Sequence, residues 1–220
     1  LALAVEVSGS IKEKFDSLYA RATTYIHAGE FESAIADLER TRSLLAELSS
    51  QEVILAERLH VACHLCTAYL RTGQQDAARR LSDELMSHYS QDPAPWSKLM
   101  LAWYFTMVPS LVDDWEEVVE LAREDIAIHP NWCWSQLTLA WALLFNEDND
   151  EAAGLLGEIK PIEMDPEEIE LVEILLDFKR DPSADAQTKL DQLRERWNVD
   201  ELLPQDRLQN ARDMISAPRD

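Results

Sequence analysis

Three residues whose side chains bind metals stand close together in the sequence: His60, Cys63 and His64. Spacings of three and four residues place them on one face of an α-helix. Two imidazoles and a thiolate are ligands that Zn²⁺ accepts, but a structural site also needs a fourth ligand and supporting partners, which the sequence does not supply. We therefore interpret these residues as lining or packing within a helix, and we predict neither a metal nor another cofactor.

Paired carboxylates are the other group that could do chemistry, as general acids and bases. The pairs Asp113–Asp114 and Glu116–Glu117 fit this description. However, adjacent residues on a helix point about 100° apart, so they do not converge on one substrate atom. The chain also lacks the glycine-rich phosphate loops and the HExxH and GxSxG motifs of common enzymes. We therefore predict that the protein is not an enzyme.

The charge of the chain limits its partners. It has 42 acidic and 20 basic residues, a formal net charge of -22, which repels phosphate backbones and anionic lipid headgroups. We expect no nucleic acid binding and no membrane insertion, since no apolar run approaches the ~20 residues of a membrane span. The segment from Glu147 to Asp177 has twelve acidic residues and one basic residue, which predicts salt-sensitive binding of a basic partner segment.

The cysteines indicate a reducing compartment. Their number, three, is odd, and Cys63 and Cys66 lie in one predicted helix, where a mutual disulfide is geometrically awkward. We therefore expect a cytoplasmic location.

A pattern near the start of the chain predicts the elements that position these residues. Its members, in order, are Ala22, Tyr25, Gly29, Phe31, Ala34 and Leu38. Gly29 can take the left-handed conformation that ends a helix, and the small side chains of Ala22 and Ala34 allow two helices to approach closely. This order resembles the tetratricopeptide repeat (TPR), a helix-turn-helix unit of about 34 residues.

The same order of residue types returns along the chain. The second small position of successive hairpins holds Ala34, Ala78, Val118, Ala152 and Ala186. We predict an all-α fold, a right-handed TPR-like α-solenoid of about five helical hairpins plus a C-terminal capping helix, forming one domain over residues 1–220. The predicted units are 10–48, 52–92, 96–130, 131–165 and 166–197, and the capping helix is 204–216.

Single positions refine this prediction. Ser10 and Glu13 have the spacing of a capping box at the start of the first helix. Pro109 is expected to stop the first helix of the third hairpin at about Met107. In the fourth hairpin, Glu147 stands at the place where the repeat usually has glycine.

The resemblance also implies where a ligand binds. In TPR proteins the first helix of each hairpin lines a concave groove, and its side away from the second helix contacts ligands. Carried over, the implied partner-binding residues are Tyr19, Thr23, His60, His64, Arg71, Met100, Trp103, Tyr104, Met107, Trp134, Leu137, Trp141 and Phe145.

The aromatic members of this set have two interpretations. Tryptophans at helical spacing often pack in a core, but they can also anchor an extended or helical peptide in a groove. A further family property is absent, because the Lys, Asn and Arg that grip the C-terminal carboxylate of Hsp70 or Hsp90 chaperones are missing. Their places hold Tyr19, Thr23, His64, Met100 and Tyr104.

Together these features predict a protein–protein interaction module, such as an adaptor, an assembly factor or a chaperone. It would bind a partner peptide, an amphipathic helix or a basic segment in a concave groove. Two alternatives stay open, a structural subunit of a larger complex and a sensor or dimerisation domain of a longer regulatory protein. The second is compatible with a chain that begins with Leu rather than Met. The sequence does not define the oligomeric state.

Overall fold

The chain folds into α-helices that pack mainly against their neighbours in sequence. The computed structural model describes residues 10–47, 51–90, 92, 95–159, 166–182, 185–197 and 202–216, with backbone only for 51–55, 95 and 202–206. The α-helices are α1 (Ile11–His27), α2 (Phe31–Glu47), α3 (Gln51–Arg71), α4 (Gln75–Tyr89), α5 (Pro95–Met107), α6 (Trp115–Ile128), α7 (Cys133–Phe145), α8 (Asn149–Glu158), α9 (Pro166–Arg180), α10 (Asp185–Arg196) and α11 (Leu202–Ser216). No strand occurs within these ranges, and the all-α prediction is confirmed.

The contacts divide the chain into two compact units, Leu1–Pro93 and Ala94–Asp220, which we call unit 1 and unit 2. In unit 1, helices α1 to α4 pack each against the next, and α1 also contacts α3. In unit 2 the same sequential packing runs from α5 to α11, while α5 contacts α7 and α7 contacts α9. Each unit therefore consists of helical hairpins whose first helices, α1 and α3 or α5, α7 and α9, lie side by side.

The helix ends follow the predicted signals. At the start of α1, the Glu13 N–H donates to Ser10 Oγ at 3.3 Å, and the Ser10 N–H donates to the Glu13 carboxylate at 2.7 Å, which is the capping box. Helix α5 ends at Met107, two residues before Pro109, and a 3₁₀ turn, Pro109–Leu111, follows it. Proline cannot continue an α-helix because it lacks the N–H and clashes with the preceding turn.

Two of the hairpin turns depend on glycine. Gly29 and Gly73 have φ angles of 74° and 75°, in the left-handed region that residues with a Cβ avoid. After Gly29, the Glu30 N–H donates to the Tyr25 carbonyl at 2.8 Å, and the corresponding bond after Gly73 is also 2.8 Å. The bond satisfies a carbonyl in the last turn of the first helix.

The small positions of the pattern are buried at helix contacts. The second small residues, Ala34, Ala78, Val118, Ala152 and Ala186, are all buried. In the first small position, Ala22, Cys66, Thr106 and Ala140 are each fully buried. Minimal side-chain volume at these places allows the two helices of a hairpin to pack closely.

The fourth hairpin makes the same turn without glycine. Glu147 has a φ of 69°, and the Asp148 N–H donates to the Leu143 carbonyl at 2.9 Å, which matches the bond after Gly29. The predicted glycine place is therefore confirmed in conformation, although a glutamate occupies it. A residue with a Cβ loses roughly 1–2 kcal/mol in this region.

Replacing Glu147 with Gly is expected to stabilise the protein by about 1 kcal/mol, because glycine adopts this φ angle without the steric cost. The side chain is exposed, so the change removes little packing. The control Glu147→Gln removes the charge but keeps the Cβ, and it should change the free energy of unfolding by less than about 0.5 kcal/mol. Urea unfolding measures both variants, and equal effects would contradict a conformational origin.

Candidate functional site

The first helices of unit 1 present a partly open surface. We call the side of α1 and α3 that bears Tyr19, Thr23 and His60 the unit 1 face. These three predicted groove residues are half-buried, and Arg71 is exposed at the end of α3. The hydroxyl of Thr23 donates to the Ala20 carbonyl at 2.9 Å, so this side chain is held against its own helix. The face combines one aromatic ring, one imidazole and small polar groups.

His64 differs from its neighbours on this face because it is buried, with 3% of its surface exposed. Its ring lies 5.7 Å from the ring of Tyr19, and its Nδ1 has no hydrogen-bond partner among the described residues. Burial, together with the nearby His60 and His27, lowers the pKa of His64 to about 4. The imidazole is therefore neutral near pH 7, and it packs against Tyr19 rather than facing a ligand. This corrects its place in the predicted groove.

The candidate metal ligands of α3 are packed in the same region. Cys63 and His64 are buried and His60 is half-buried. The residues that the structure describes contain no group of His, Cys, Asp or Glu arranged to hold a metal ion. Cys63, Cys66 and Cys133 are buried, and Cys66 Sγ lies 3.7 Å from the Ala78 carbonyl, where it joins α3 to α4.

In unit 2, most of the predicted groove residues are buried. Trp103, Tyr104, Met107, Leu137 and Trp141 each expose less than a tenth of their surface. They pack in the core, which corrects the prediction that they line an open groove and supports the other interpretation of the aromatic cluster. Met100 and Phe145 remain half-buried, and Trp134 is 41% exposed.

The C-terminal helix explains part of this burial. Helix α11 contacts α5 and α9 as well as α10, and one of its side chains reaches α7. It therefore lies across the first helices of unit 2, on the surface that we call the unit 2 face (the side of α5, α7 and α9 that α11 covers). A last helix was predicted at 204–216 as an end cap, and the structure confirms the helix but seats it on this face.

Arg207 is the centre of this contact. Its Nη1 donates to the Thr106 carbonyl at 2.7 Å, and its Nη2 donates to Thr106 Oγ1 at 3.0 Å. Its Nε lies 3.4 Å from the Glu168 carboxylate, and its guanidinium carbon lies 4.3 Å from the centre of the Trp141 ring. The side chain is only 3% exposed. A planar guanidinium is thus enclosed by a carbonyl, a hydroxyl, a carboxylate and an aromatic face.

Residues 208 to 212 of α11 add apolar and polar contacts. Asn210 Nδ2 donates to the Met107 carbonyl at 3.0 Å, which satisfies a carbonyl at the end of α5. Leu208 and Ala211 are buried, and Arg212 pairs with Asp191 of α10 at 2.8 Å. This part of α11 is therefore held by buried apolar side chains together with hydrogen bonds and an ion pair.

Neither Arg207 nor its contacts were predicted from the sequence. The bonds to Thr106 join residues that are 101 positions apart, and helical periodicity carries no information on such contacts. One signal was available, because Arg207 stands beside Leu208 and three or four positions before Asn210 and Ala211. This spacing places an arginine on the apolar side of a helix.

The acidic segment of unit 2 is partly neutralised by basic residues of the same unit. Arg180 pairs with Asp150 at 3.3 Å, Arg196 with Glu170 at 2.7 Å and Lys189 with Asp177 at 3.3 Å. Exposed pairs of this kind contribute little to stability, but they reduce the local negative charge. Salt-sensitive docking of a basic segment on this surface stays a prediction.

A crevice of about 410 Å³ opens between α2, α3 and α4 of unit 1. An ion pair between Arg42 and Glu84, at 2.6 Å, bridges it, and Arg58 lies in its wall, 3.5 Å from the Tyr89 hydroxyl. None of the predicted groove residues lines this crevice. Its lining carries both positive and negative side chains, so it does not indicate which charge a ligand would have.

Comparisons with known proteins place this architecture among helical repeats. No protein family model matches the sequence, and no curated protein matches it. A thermophilic TPR protein of Thermus thermophilus superposes with a TM-score of 0.52 at 15% identity, over 90% of this chain and 98% of that one. Nearly identical TPR-like repeats of a protein described as a kinesin light chain from Podosopora anserina superpose with a TM-score of 0.51 at 22% identity, over 86% and 96% of the two chains.

Matches at this level of identity bear on the fold, and both extend over most of the two chains compared. They agree with the hairpins, the glycine turns and the buried small residues described above. None of the helices in the described ranges is both long and apolar enough to cross a lipid bilayer. The chain therefore has an all-α, TPR-like helical repeat fold.

Proposed function

We propose that the chain is a protein–protein interaction module, acting as an adaptor, an assembly factor or a chaperone, which binds a helix or a peptide on the first-helix faces of its hairpins. The position of α11 supports this proposal, because a helix is already seated on the unit 2 face. It takes the place that a partner helix takes when a groove binds it. The unit 1 face is formed by first helices of the same kind of hairpin, and it has half-buried polar and aromatic side chains.

The charge of the chain favours a basic partner. A formal net charge of -22 attracts a basic segment or a basic amphipathic helix over a distance of about 10 Å at moderate salt. The faces are formed by helices that are packed in advance, so the partner supplies most of the conformational entropy that is lost on binding. We expect no binding of the Hsp70 or Hsp90 carboxylate.

Catalysis and location follow from the same proposal. A module of this kind catalyses no reaction, and the described acidic pairs on α6 and in the loop before it, such as Asp113 with Asp114, are exposed rather than enclosed in a site. The odd number of cysteines and the burial of all three are compatible with a reducing compartment, and we propose a cytoplasmic location.

Thr23 offers a direct test on the unit 1 face. Affinity capture from the source cells, followed by mass spectrometry, identifies partners, and calorimetry then measures one purified partner. Thr23→Arg places a long cationic side chain on the face, and it should raise the Kd at least tenfold by steric and electrostatic repulsion.

Thr24→Arg is the matched control. Both hydroxyls donate to the Ala20 carbonyl at 2.9 Å, but Thr24 is exposed and points about 100° away from Thr23 around the helix. The control should change the Kd less than about twofold. Equal Kd changes for the two variants would exclude the unit 1 face as the binding surface.

A further inference from the structure

The guanidinium of Arg207 occupies a site that is shaped for arginine. Thr106 presents two acceptors, its carbonyl at 2.7 Å and its hydroxyl at 3.0 Å, to the two terminal nitrogens of the planar fork. Glu168 lies on the Nε edge at 3.4 Å, and the ring of Trp141 covers one face at 4.3 Å. We call these three residues, Thr106, Trp141 and Glu168, the arginine site.

Arginine fits this arrangement better than lysine does. An ammonium group is a point charge with three donors, whereas a guanidinium offers five N–H groups in a fixed plane and stacks on aromatic rings. Only the planar group can bond the carbonyl and hydroxyl of Thr106 while its Nε edge faces Glu168. Glu168 is itself 9% exposed, so its negative charge is poorly hydrated and needs a cation nearby.

A charged side chain lies at the centre of the contacts that hold α11. Among residues 207–216, the buried side chains are Arg207, Leu208 and Ala211, and Asn210 adds a hydrogen bond to the Met107 carbonyl. Charged side chains are rare in a domain core, whereas buried arginine anchors are typical of protein–protein interfaces.

One buried donor lies beside the site without an acceptor among the residues whose side chains the structure describes. It is the indole N–H of Trp141, which is 1% exposed. A buried donor without an acceptor costs free energy. A partner helix that brings an acceptor to this position, in addition to an arginine, would satisfy this donor.

We propose that the unit 2 face binds an amphipathic partner helix through one arginine, which enters the site now filled by Arg207, and that α11 is its competitor within the chain. This inference rests on the proposed function, since it names the ligand and the regulation of one first-helix face. The charge of the chain agrees with it, because a net charge of -22 attracts a helix that carries arginine.

Competition from α11 sets the affinity that the partner must have. A segment tethered by a short linker acts at an effective concentration of the order of millimolar. A free helix with the same contacts therefore binds the intact protein weakly, and its apparent Kd rises in inverse proportion to the fraction of molecules in which α11 is undocked. Weakening the tethered copy should make the site available to a free helix.

The experiment uses the full chain and a fluorescein-labelled peptide with the sequence of residues 202–216. Fluorescence anisotropy measures its Kd for the wild type, for Arg207→Ala and for Arg212→Ala. Arg207→Ala should bind the peptide at least tenfold more tightly than the wild type does, because its own α11 has lost the buried arginine. Arg212→Ala removes an equal charge from the exposed pair with Asp191, and it should bind within about twofold of the wild type.

Variants of the peptide test the arginine itself. On the Arg207→Ala protein, a peptide carrying Arg207→Ala should bind at least tenfold more weakly than the natural peptide, and one carrying Arg207→Lys should also bind more weakly. A peptide carrying Arg212→Ala should bind within about twofold of the natural one. If all four peptides bind equally, the face binds helices without recognising arginine. The inference is then overturned, while the proposed function stands.

Two further measurements test the inference independently. Thr106→Val keeps the side-chain volume but removes the hydroxyl acceptor for the tethered helix and for the free peptide alike, so in the otherwise wild-type chain the apparent Kd should stay within about twofold. Introduced together with Arg207→Ala, or with Arg207→Lys if the alanine variant does not fold, it should weaken peptide binding at least threefold. Sedimentation of the wild type should show a monomer, because a dimer that exchanges α11 would make a second copy the occupant and would overturn the proposal. If no protein variant binds any of the peptides, both the inference and helix binding by this face are rejected.

Discussion

Replacing Asp37 with Ala is expected to destabilise unit 1 by about 3–5 kcal/mol, because the change leaves the guanidinium of Arg21 without its partner in a mostly buried place. The two side chains form a bidentate pair, with Nε and Nη2 of Arg21 each 2.5 Å from a carboxylate oxygen of Asp37. Their side chains are only 11% and 5% exposed. This pair joins α1 to α2 within the first hairpin.

Hydrogen exchange of the amides in α1 to α4 measures this loss locally. Tryptophan fluorescence gives a separate signal, because all seven tryptophans stand at residue 96 or later, in unit 2. Arg42→Ala is the control, since its pair with Glu84 is also short but 38% and 64% exposed, and it should cost less than about 1 kcal/mol.

The double variant Arg21→Met with Asp37→Leu separates the two parts of the effect. Replacing a buried ion pair by apolar residues of similar volume is often neutral or stabilising. We therefore expect the double variant to recover to within about 1 kcal/mol of the wild type. A double variant as unstable as Asp37→Ala would contradict the unpaired Arg21 charge as the origin of the loss.

The hairpins could be predicted because their signals are local. Gly29 and Gly73 mark turns by their freedom to adopt a positive φ, and small residues mark close helix contacts. At Glu147 the spacing of the repeat alone indicates the place of the turn. The residue adopts the left-handed conformation there, although a residue with a Cβ does not favour it. A local pattern therefore determines where each hairpin turns.

Whether a first-helix face is open or covered could not be predicted from local signals. Trp141 and Tyr104 lie at places that face ligands in the resembling family, yet both are buried in this chain. Trp141 is covered by Arg207 of α11, a helix whose contacts with α5 span about a hundred residues. Nothing in the periodicity of α5 or α7 indicates which distant segment will cover them. Identifying the arginine site thus required coordinates, although residues 207 to 211 already had an amphipathic spacing.

The second large effect concerns pH and His64. Its folded-state pKa of about 4 lies below the ordinary value of 6.5, so the unfolded chain binds a proton more readily than the native one. The resulting stabilisation is fully present above pH 6.5 and is lost as the pH falls from 6.5 to 4. A difference of this size corresponds to about 3 kcal/mol. Burial of His60 lowers its pKa in the same direction.

His64→Leu should remove this part of the acid sensitivity. Leucine has a similar volume and no group that gains a proton, and it also removes Nδ1, which is buried without a partner among the described residues. Between pH 7 and pH 4, the variant should therefore lose about 3 kcal/mol less stability in urea unfolding than the wild type does.

The difference between the two proteins in free energy of unfolding is taken at each pH. This difference cancels the contribution of the carboxylates, which are present in both proteins. His88→Gln, at an exposed position of α4, is the control for the loss of an imidazole elsewhere in unit 1. If His64→Leu loses stability with acid as steeply as the wild type, the imidazole must gain its proton without unfolding unit 1. The contact between His64 and Tyr19 would then have to open to water, and the unit 1 face would be more adaptable than its packing indicates.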